Sequence, residues 1–207
     1  VKDCPRAGLA MEFFERDEQW ALDDYLAGLT DSAGFEKAAK RNAGNYPAGH
    51  KAMVEAARAA KRPVVAANAP RRYVSLARKE GFERMRGLTA EQARLFRIPD
   101  ELPGGKYREN FDKVMTENAG QEGHGGKAKT AEEVEKEKAA MKERLDASFR
   151  SQSVWDWTMS ESVGRSLDAG NIPTVLVVGR FHIDENGGTV LALRKQRPAT
   201  RIVTVSF

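Results

Sequence analysis

Four short apolar runs punctuate a largely polar chain. Ala7-Gly-Leu-Ala-Met-Glu-Phe-Phe14 is the first, and Pro63-Val-Val-Ala-Ala-Asn-Ala69, stopped by Pro70, is the second. Pro173-Thr-Val-Leu-Val-Val-Gly-Arg-Phe181 is the clearest, and Arg201-Ile-Val-Thr-Val-Ser-Phe207 is the last. Near-continuous apolar runs of this length read as strands buried on both faces, as parallel strands are. Between the first two, residues 17–26 show helical spacing through Trp20, Leu22, Tyr25 and Leu26, and further helices are expected over 31–41 and 48–60. A helix from Arg72 to Lys79 follows the second run. Strand, helices, strand and helix in that order require parallel crossovers.

The stretch between the second and third runs is helical in pattern. Residues 89–118 read as short helices broken by Pro99, Pro103 and Gly104-Gly105, and 119–129 is a polar, glycine-rich loop holding His124. Thr130 and Glu133 form a capping box, in which hydroxyl and carboxylate satisfy each other's free backbone N–H groups. The charged face 132–144 is solvated. A second helix is expected over 151–168, with Val154, Trp155, Met159, Val163 and Leu167 on one side and Gly170 at its end. A short helix follows Gly187-Gly188 and ends before Pro198. The expected fold is a single α/β domain over 1–207, a mostly parallel sheet flanked by helices, with a mainly helical insertion at about 82–168.

Composition narrows the function classes. The net charge of +4 arises from 34 basic and 30 acidic residues, and no dense basic tract with interleaved aromatics occurs, which argues against a nucleic-acid partner. A mild positive charge suits an anionic ligand. Cys4 is the single cysteine, so an internal disulfide is excluded. No apolar stretch is long enough to span a bilayer, and the chain, which opens at Val1, shows no signal-peptide pattern. Val1-Lys2-Asp3 is too polar to resemble the residues that precede a lipoprotein cysteine.

Open α/β sheets bind ligands at the carboxyl ends of their strands. Glu12 in the first run, Asn68 at the end of the second and His182 after the third fall at such ends, and Arg71 and Arg72 follow Asn68. A carboxylate inside an apolar strand needs a cation, a metal or a tight hydrogen-bond partner. Arg71 or Arg72 would serve as a purely structural partner for Glu12. In Trp155-Asp156-Trp157, core packing is expected of Trp155 and Met159, with Asp156 exposed or paired with an arginine. Trp157 faces away from Trp155 and is a candidate cavity wall or platform for a planar ligand. His124, between glycines, reads as a loop residue or as an imidazole on a closing loop. No Gly-x-Ser-x-Gly, P-loop or His-Glu-x-x-His occurs, and His50, His124 and His182 are too scattered for spacing to define a metal site.

Taken in order, these residues resemble a known family. Gly8-Leu-Ala-Met-Glu-Phe-Phe14 is similar to its Gly-x-Glu-Met-Phe strand, although the local order differs. Residues 63–72 are similar to its second strand and turn. Gln152, Asp156 and Met159 resemble its Gln-x-x-x-Asp-x-x-Met helix, and Gly179-Arg-Phe-His182 its Gly-x-x-His turn. The family is the ChaN-like haem-binding group, within the wider TIKI/erythromycin-esterase set. The resemblance implies a haem-binding protein in haem or iron uptake, a binding protein more than an enzyme. It also implies a bacterial periplasmic or outer-membrane location, often as a lipoprotein anchored through an N-terminal segment. Haem is the implied cofactor, with His182, His124 and Tyr107 as candidate iron ligands. Arg71 and Arg72 are candidates for the propionates, and Glu12, Asn68, Asp156 and Trp157 for the pocket. Related branches imply two alternatives, a hydrolase using a divalent metal at Glu12 and His182, and an inactive scaffold. Family members usually open with a strand ending in Gly-Glu-x-His, placed centrally in the sheet. The chain starts after that point, so an additional N-terminal segment, or a homodimer or other partner chain, is expected to supply the strand.

Overall fold

The computed structural model describes residues 4–119 and 130–207. Its frame is an all-parallel sheet of three strands, β1 (Gly8–Glu15), β2 (Val64–Asn68) and β3 (Thr174–Val177), in the order β2-β1-β3. β1 is therefore central. Leu9, Ala10 and Met11 face Val64, Val65 and Ala66 on one side and Val175, Leu176 and Val177 on the other. The family strand expected in the middle leaves no gap there among the described residues, because β1 is hydrogen-bonded along both edges.

Both faces of β1 are apolar because both are covered. On one, Leu9, Met11 and Phe14 pack with Leu22 and Tyr25 of α1 (Gln19–Leu26), Phe35 of α2 (Ser32–Ala38) and Val54 of α3 (Ala48–Ala59). On the other, the small side chains of Ala10 and Ala67 admit Met159 and Val163 of α7 (Ala131–Asp168) and Leu193 of α8 (Gly188–Gln196). Alternation of Leu9 and Met11 with Ala10 is thus a difference in the depth of the covering layer, not of polarity. Three further helices, α4 (Arg71–Arg86), α5 (Ala90–Ala93) and α6 (Lys106–Ala119), lie between β2 and α7 in the chain. Tyr73, Val74 and Ala77 of α4 pack with Val154 of α7 in a separate apolar cluster.

α7 is one helix of 38 residues where two are expected from the sequence. Its first half is solvated, its second half buried, and the change in surface pattern at about 145–150 does not interrupt the backbone. Glycine occurs in it only at Gly164, and proline nowhere, so no breaker supports a boundary. The capping box at Thr130 is present, with Thr130 N–H donating to Glu133 (2.8 Å) and Glu133 N–H to the Thr130 hydroxyl (3.3 Å).

The third strand ends at Val177, four residues before the expected limit, because Gly179 gives its N–H to the Glu12 carboxylate and Arg180–His182 turn into a single 3-10 turn. Residues 201–207, expected as a fourth strand, form no ladder. Ile202 packs, like Leu176 and Val178, against the cluster of Ala10, Ala67, Met159, Val163 and Leu193, while Val203 is 88% and Val205 63% exposed. Strand propensity is a statement about fitting a pleated surface, and no strand among the described residues presents one to this segment.

β2 lies at the sheet's edge, and a side chain covers its free polar groups. Gln19 donates through Nε2 to Val64 O (2.9 Å) and accepts through Oε1 from Ala66 N–H (2.7 Å), as a neighbouring strand would. Unpaired edges invite pairing with other chains. Gln19→Ala is expected to lower stability by about 1–3 kcal/mol, the cost of part-buried unpaired backbone groups, and to increase self-association. Urea denaturation and light scattering on the same variant measure the two effects.

Candidate functional site

The site is built at the carboxyl edge by elements distant in sequence. Between Met11–Ala66 and Glu15–Asn68 the register slips, four steps along β1 against two along β2. Such an irregularity bends the strand and re-aims side chains, and Glu12 lies within it. Its Oε1 is 3.3 Å from His182 Nε2, and its Oε2 accepts from Gly179 N–H. Glu12 and His182 therefore share one edge of the sheet and are in direct contact.

The other imidazole nitrogen, Nδ1, is 2.8 Å from Asp156 Oδ1. Asp156 is 0% exposed, on the sheet side of α7. A buried carboxylate persists only if its lone pairs are taken up, and here they are. Oδ1 also accepts from the Thr189 hydroxyl (2.8 Å) at the start of α8, while Oδ2 accepts from the Tyr107 hydroxyl of α6 and from the Gln152 amide (3.4 Å) one helical turn away. Gln152 Nε2 also lies 2.9 Å from His182 Nδ1. Asp156 is therefore neither exposed nor paired with an arginine, contrary to the sequence reading, because His182, Thr189, Tyr107 and Gln152 surround it.

Glycine is required where these elements converge. A Cβ on Gly188 (φ +48°) would stand 2.4 Å from the His182 carbonyl oxygen and 2.9 Å from Asp156 Oδ1. A Cβ on Gly187 would stand 2.8 Å from the Tyr107 ring.

The electrostatics follow from this geometry. Burial alone would push the His182 imidazole down, but the hydrogen bonds and charges of Asp156 and Glu12 outweigh it and raise the pKa to about 10. Burial pushes the Glu12 carboxyl up, yet the His182 hydrogen bond and charge and the Gly179 N–H hold it below its usual value. Burial, then the Asp156 charge and hydrogen bond, push the Tyr107 phenol far up, which opposes phenolate formation. With its pKa raised to about 10, His182 carries its proton at neutral pH, between Glu12 and Asp156. Both nitrogens of His182 and the hydroxyl of Tyr107 are engaged within this network.

Other residues singled out in the sequence lie around this core. Asn68 is half-buried at the end of β2, its Oδ1 accepting from Ala69 N–H (2.9 Å). The Arg71 side chain is 90% exposed and 3.6 Å from Glu15, and Arg72 pairs with Asp17 and lies over the Tyr73 ring. The partners of Glu12 are His182 and Gly179, not these arginines. Trp157 is buried, with the Lys195 ammonium 6.0 Å from its ring, while Trp155 meets His182 edge-on at 6.3 Å. Of the two tryptophans, the one beside the imidazole is Trp155. His124 lies outside the described residues. Among the described residues, no group of three or more His, Cys, Asp or Glu side chains is arranged to hold a metal ion. Thr189 was not anticipated, since a threonine opening a short helix carries no signal of its own. His50 was noted in the sequence only as one of three scattered histidines. It lies in the first turn of α3, its ring stacked on Phe13 next to Glu12 in β1 (centroids 3.6 Å apart), and it feels the Glu12 charge.

Fold and site together define an α/β protein whose parallel sheet gathers charged and imidazole side chains at its carboxyl edge. The model of the haem-binding uptake family, Tiki superfamily, ChaN, matches residues 2–193, and the chain belongs to that family. Among solved structures it is similar to ChaN of Campylobacter jejuni, a structure described as showing cofacial haem binding. The TM-score is 0.62 at 14% identity, over 93% of this chain and 64% of that one, a likeness of fold. This chain thus spans less than two thirds of that protein's length. A search of curated proteins returns no match.

Proposed function

We propose that the protein binds haem at the carboxyl edge of its sheet and serves in haem uptake or handling. The observation that carries this reading is the meeting of Glu12, His182 and Asp156 at that edge in a chain of a haem-binding family. Arg71 and Arg72 follow β2 on the same side and are accessible enough to exchange Glu15 and Asp17 for propionates. Bound haem would supply iron and a porphyrin face. The chain's own part is to position that face against the β1 edge and to neutralise the propionates. The Glu12–His182–Asp156 clamp holds β1, β3 and α7 in register beneath it.

Titration with haem tests this directly. Saturable growth of a Soret band is expected, with a dissociation constant of about 1 μM or tighter, equivalent to roughly −8 kcal/mol. The double variant Arg71→Glu/Arg72→Glu is expected to bind about tenfold more weakly, with reduced sensitivity to salt. No saturable band in the unaltered protein would remove the assignment. The reading extends to a periplasmic or outer-membrane location, which fractionation of cells expressing the full-length protein checks.

A further inference from the structure

We propose that the free edge of β2 is a docking site for an extended, acidic segment of a partner protein, which adds to the sheet as a further strand. Four observations carry it. First, a groove of about 550 Å³ opens on that edge. It is lined by Val65 and Ala66 of β2, by Gln19 and Trp20 of α1, and by Arg165 and Ser166 of α7. α1 and α7 cover opposite faces of the sheet, so the groove is the gap between two layers in which a next strand would lie. Second, the hydrogen-bonding groups of the edge are held by a replaceable side chain. The Gln19 amide takes Val64 O and Ala66 N–H as a strand would, and its Nε2 also donates to Asp23 on its own helix (2.8 Å), where it remains satisfied when a backbone takes its place. Third, Trp20 is 60% exposed beside the groove, and tryptophan is prominent among the side chains that anchor interfaces.

The fourth observation is charge, and it selects the partner. Arg16, Arg94 and Arg165 line the groove, and its one lining carboxylate, Asp17, is held by Arg72. Arg16 and Arg165 share Glu161 (2.9 and 3.0 Å), and Arg94 pairs with Glu91 (3.2 Å). Four guanidiniums thus meet three carboxylates, which leaves one positive charge over. The Arg16 guanidinium donates to Ser162, to Glu161 and to the carbonyl oxygens of Thr158 and Arg94, so it is a fixed charge in the wall. Burial first, and then the Arg165 guanidinium, pull its pKa down to about 10 against Glu161, so a further anion nearby is favourable. Arg94 and Arg165 lie at the surface, where ion pairs are weak, and are free to exchange their partners for incoming carboxylates. An added strand draws affinity from main-chain hydrogen bonds and specificity from alternate side chains. Acidic residues at alternate positions meet the arginines, and apolar ones between them meet Trp20 and Leu95. Glu12, His182 and Asp156 do not line this groove, so the inference is independent of the haem reading.

The experiment titrates the full chain with a fluorescein-labelled hexapeptide of alternating valine and glutamate, read by anisotropy. Saturable binding is expected at about 100 μM or tighter, and at least tenfold weaker binding of the counterpart with lysine in place of glutamate. Of the two versions N-methylated at alternate residues, the one whose methyl groups meet β2 is expected to lose at least tenfold, because its main-chain donors are gone. Hydrogen exchange of the unaltered chain is expected to slow at Val64 and Ala66 when the peptide is bound. The variant Arg94→Glu/Arg165→Glu is expected to bind the acidic peptide about tenfold more weakly. If that variant does not melt cooperatively, the lysine peptide and the N-methylated pair, both measured on the unaltered chain, decide. Absence of saturable binding, equal binding of the lysine peptide, or parent-like binding of both N-methylated versions would each overturn the proposal. A peptide-free dimer with slow exchange at Val64 and Ala66 would assign the groove to a second copy of the chain and overturn it as well.

Discussion

Asp156→Asn is expected to cost about 3–5 kcal/mol of stability at pH 6, the range for removing one partner of a buried ion pair. The carboxylate accepts from His182, Thr189, Tyr107 and Gln152 while fully buried, and the amide restores neither the charge nor all the acceptor positions. The pH dependence identifies the interaction. In the folded chain His182 titrates at about 10, above the ordinary value of 6.5. The stability it contributes is therefore fully present below pH 6.5 and is lost as pH rises towards 10. Glu12, held below its ordinary value, contributes above pH 4.5 and loses that contribution as pH falls further. Denaturant melts between pH 5 and 10 are expected to show a decline above pH 6.5 that Asp156→Asn flattens. Curves that stay parallel across that window would mean His182 is not charged by Asp156.

Gly188→Ala is expected to be the most damaging conservative change near the site. The position has a left-handed φ of +48°, where an L side chain costs roughly 1–2 kcal/mol. The added methyl would also stand 2.4 Å from a backbone oxygen, which no rotamer change relieves. A total loss of about 3 kcal/mol or more follows, with α8 displaced from α7 and the Thr189 hydroxyl withdrawn from Asp156. Calorimetry gives the loss, and the nitrogen-15 shifts of His182 give the displacement. A melting temperature within a degree of the unaltered chain would show that the turn at 187–188 is free to adjust.

Much of this is visible in the residues themselves. The runs at 7–14 and 63–69 declare buried parallel strands because both of their faces are apolar, and Glu12 stands out there as a charge with an obligation. His182 and Asn68 were legible by position, as polar residues just past strand ends. Asp156 was visible as a residue but not in its role, because its partners come from α6, α8 and the 3-10 turn, and spacing within one helix says nothing about them. Trp155 and Trp157 differ by two helix positions, and only the placement of α8 decides which one the core takes. Residues 201–207 have the composition of a strand, yet pairing depends on an edge elsewhere in the chain. His50 carried no signal because a histidine in the first turn of an alanine-rich helix looks solvated until Phe13 is set against it.

The sheet order also bears on how the chain acquires its structure. Leu9 faces Val64 on one side and Val175 on the other, so the second ladder joins segments that β2 and all of α1 to α7 separate in sequence. The equilibrium penalty is small, since each doubling of a closed loop costs only about 0.6 kcal/mol. The kinetic consequence is larger, because chains emerge at roughly 5–20 residues per second and fold from the N-terminal side first. β1, β2 and the helices between them are made early, and one edge of the central strand then waits through the synthesis of α4 to α7. During that interval Glu12 is a carboxylate in an apolar strand with neither Gly179 nor His182 to satisfy it. The pairing that finishes the sheet and the contact that neutralises Glu12 come from the same later segment, so the centre is assembled only after β3 and the turn at Arg180–His182 have been made.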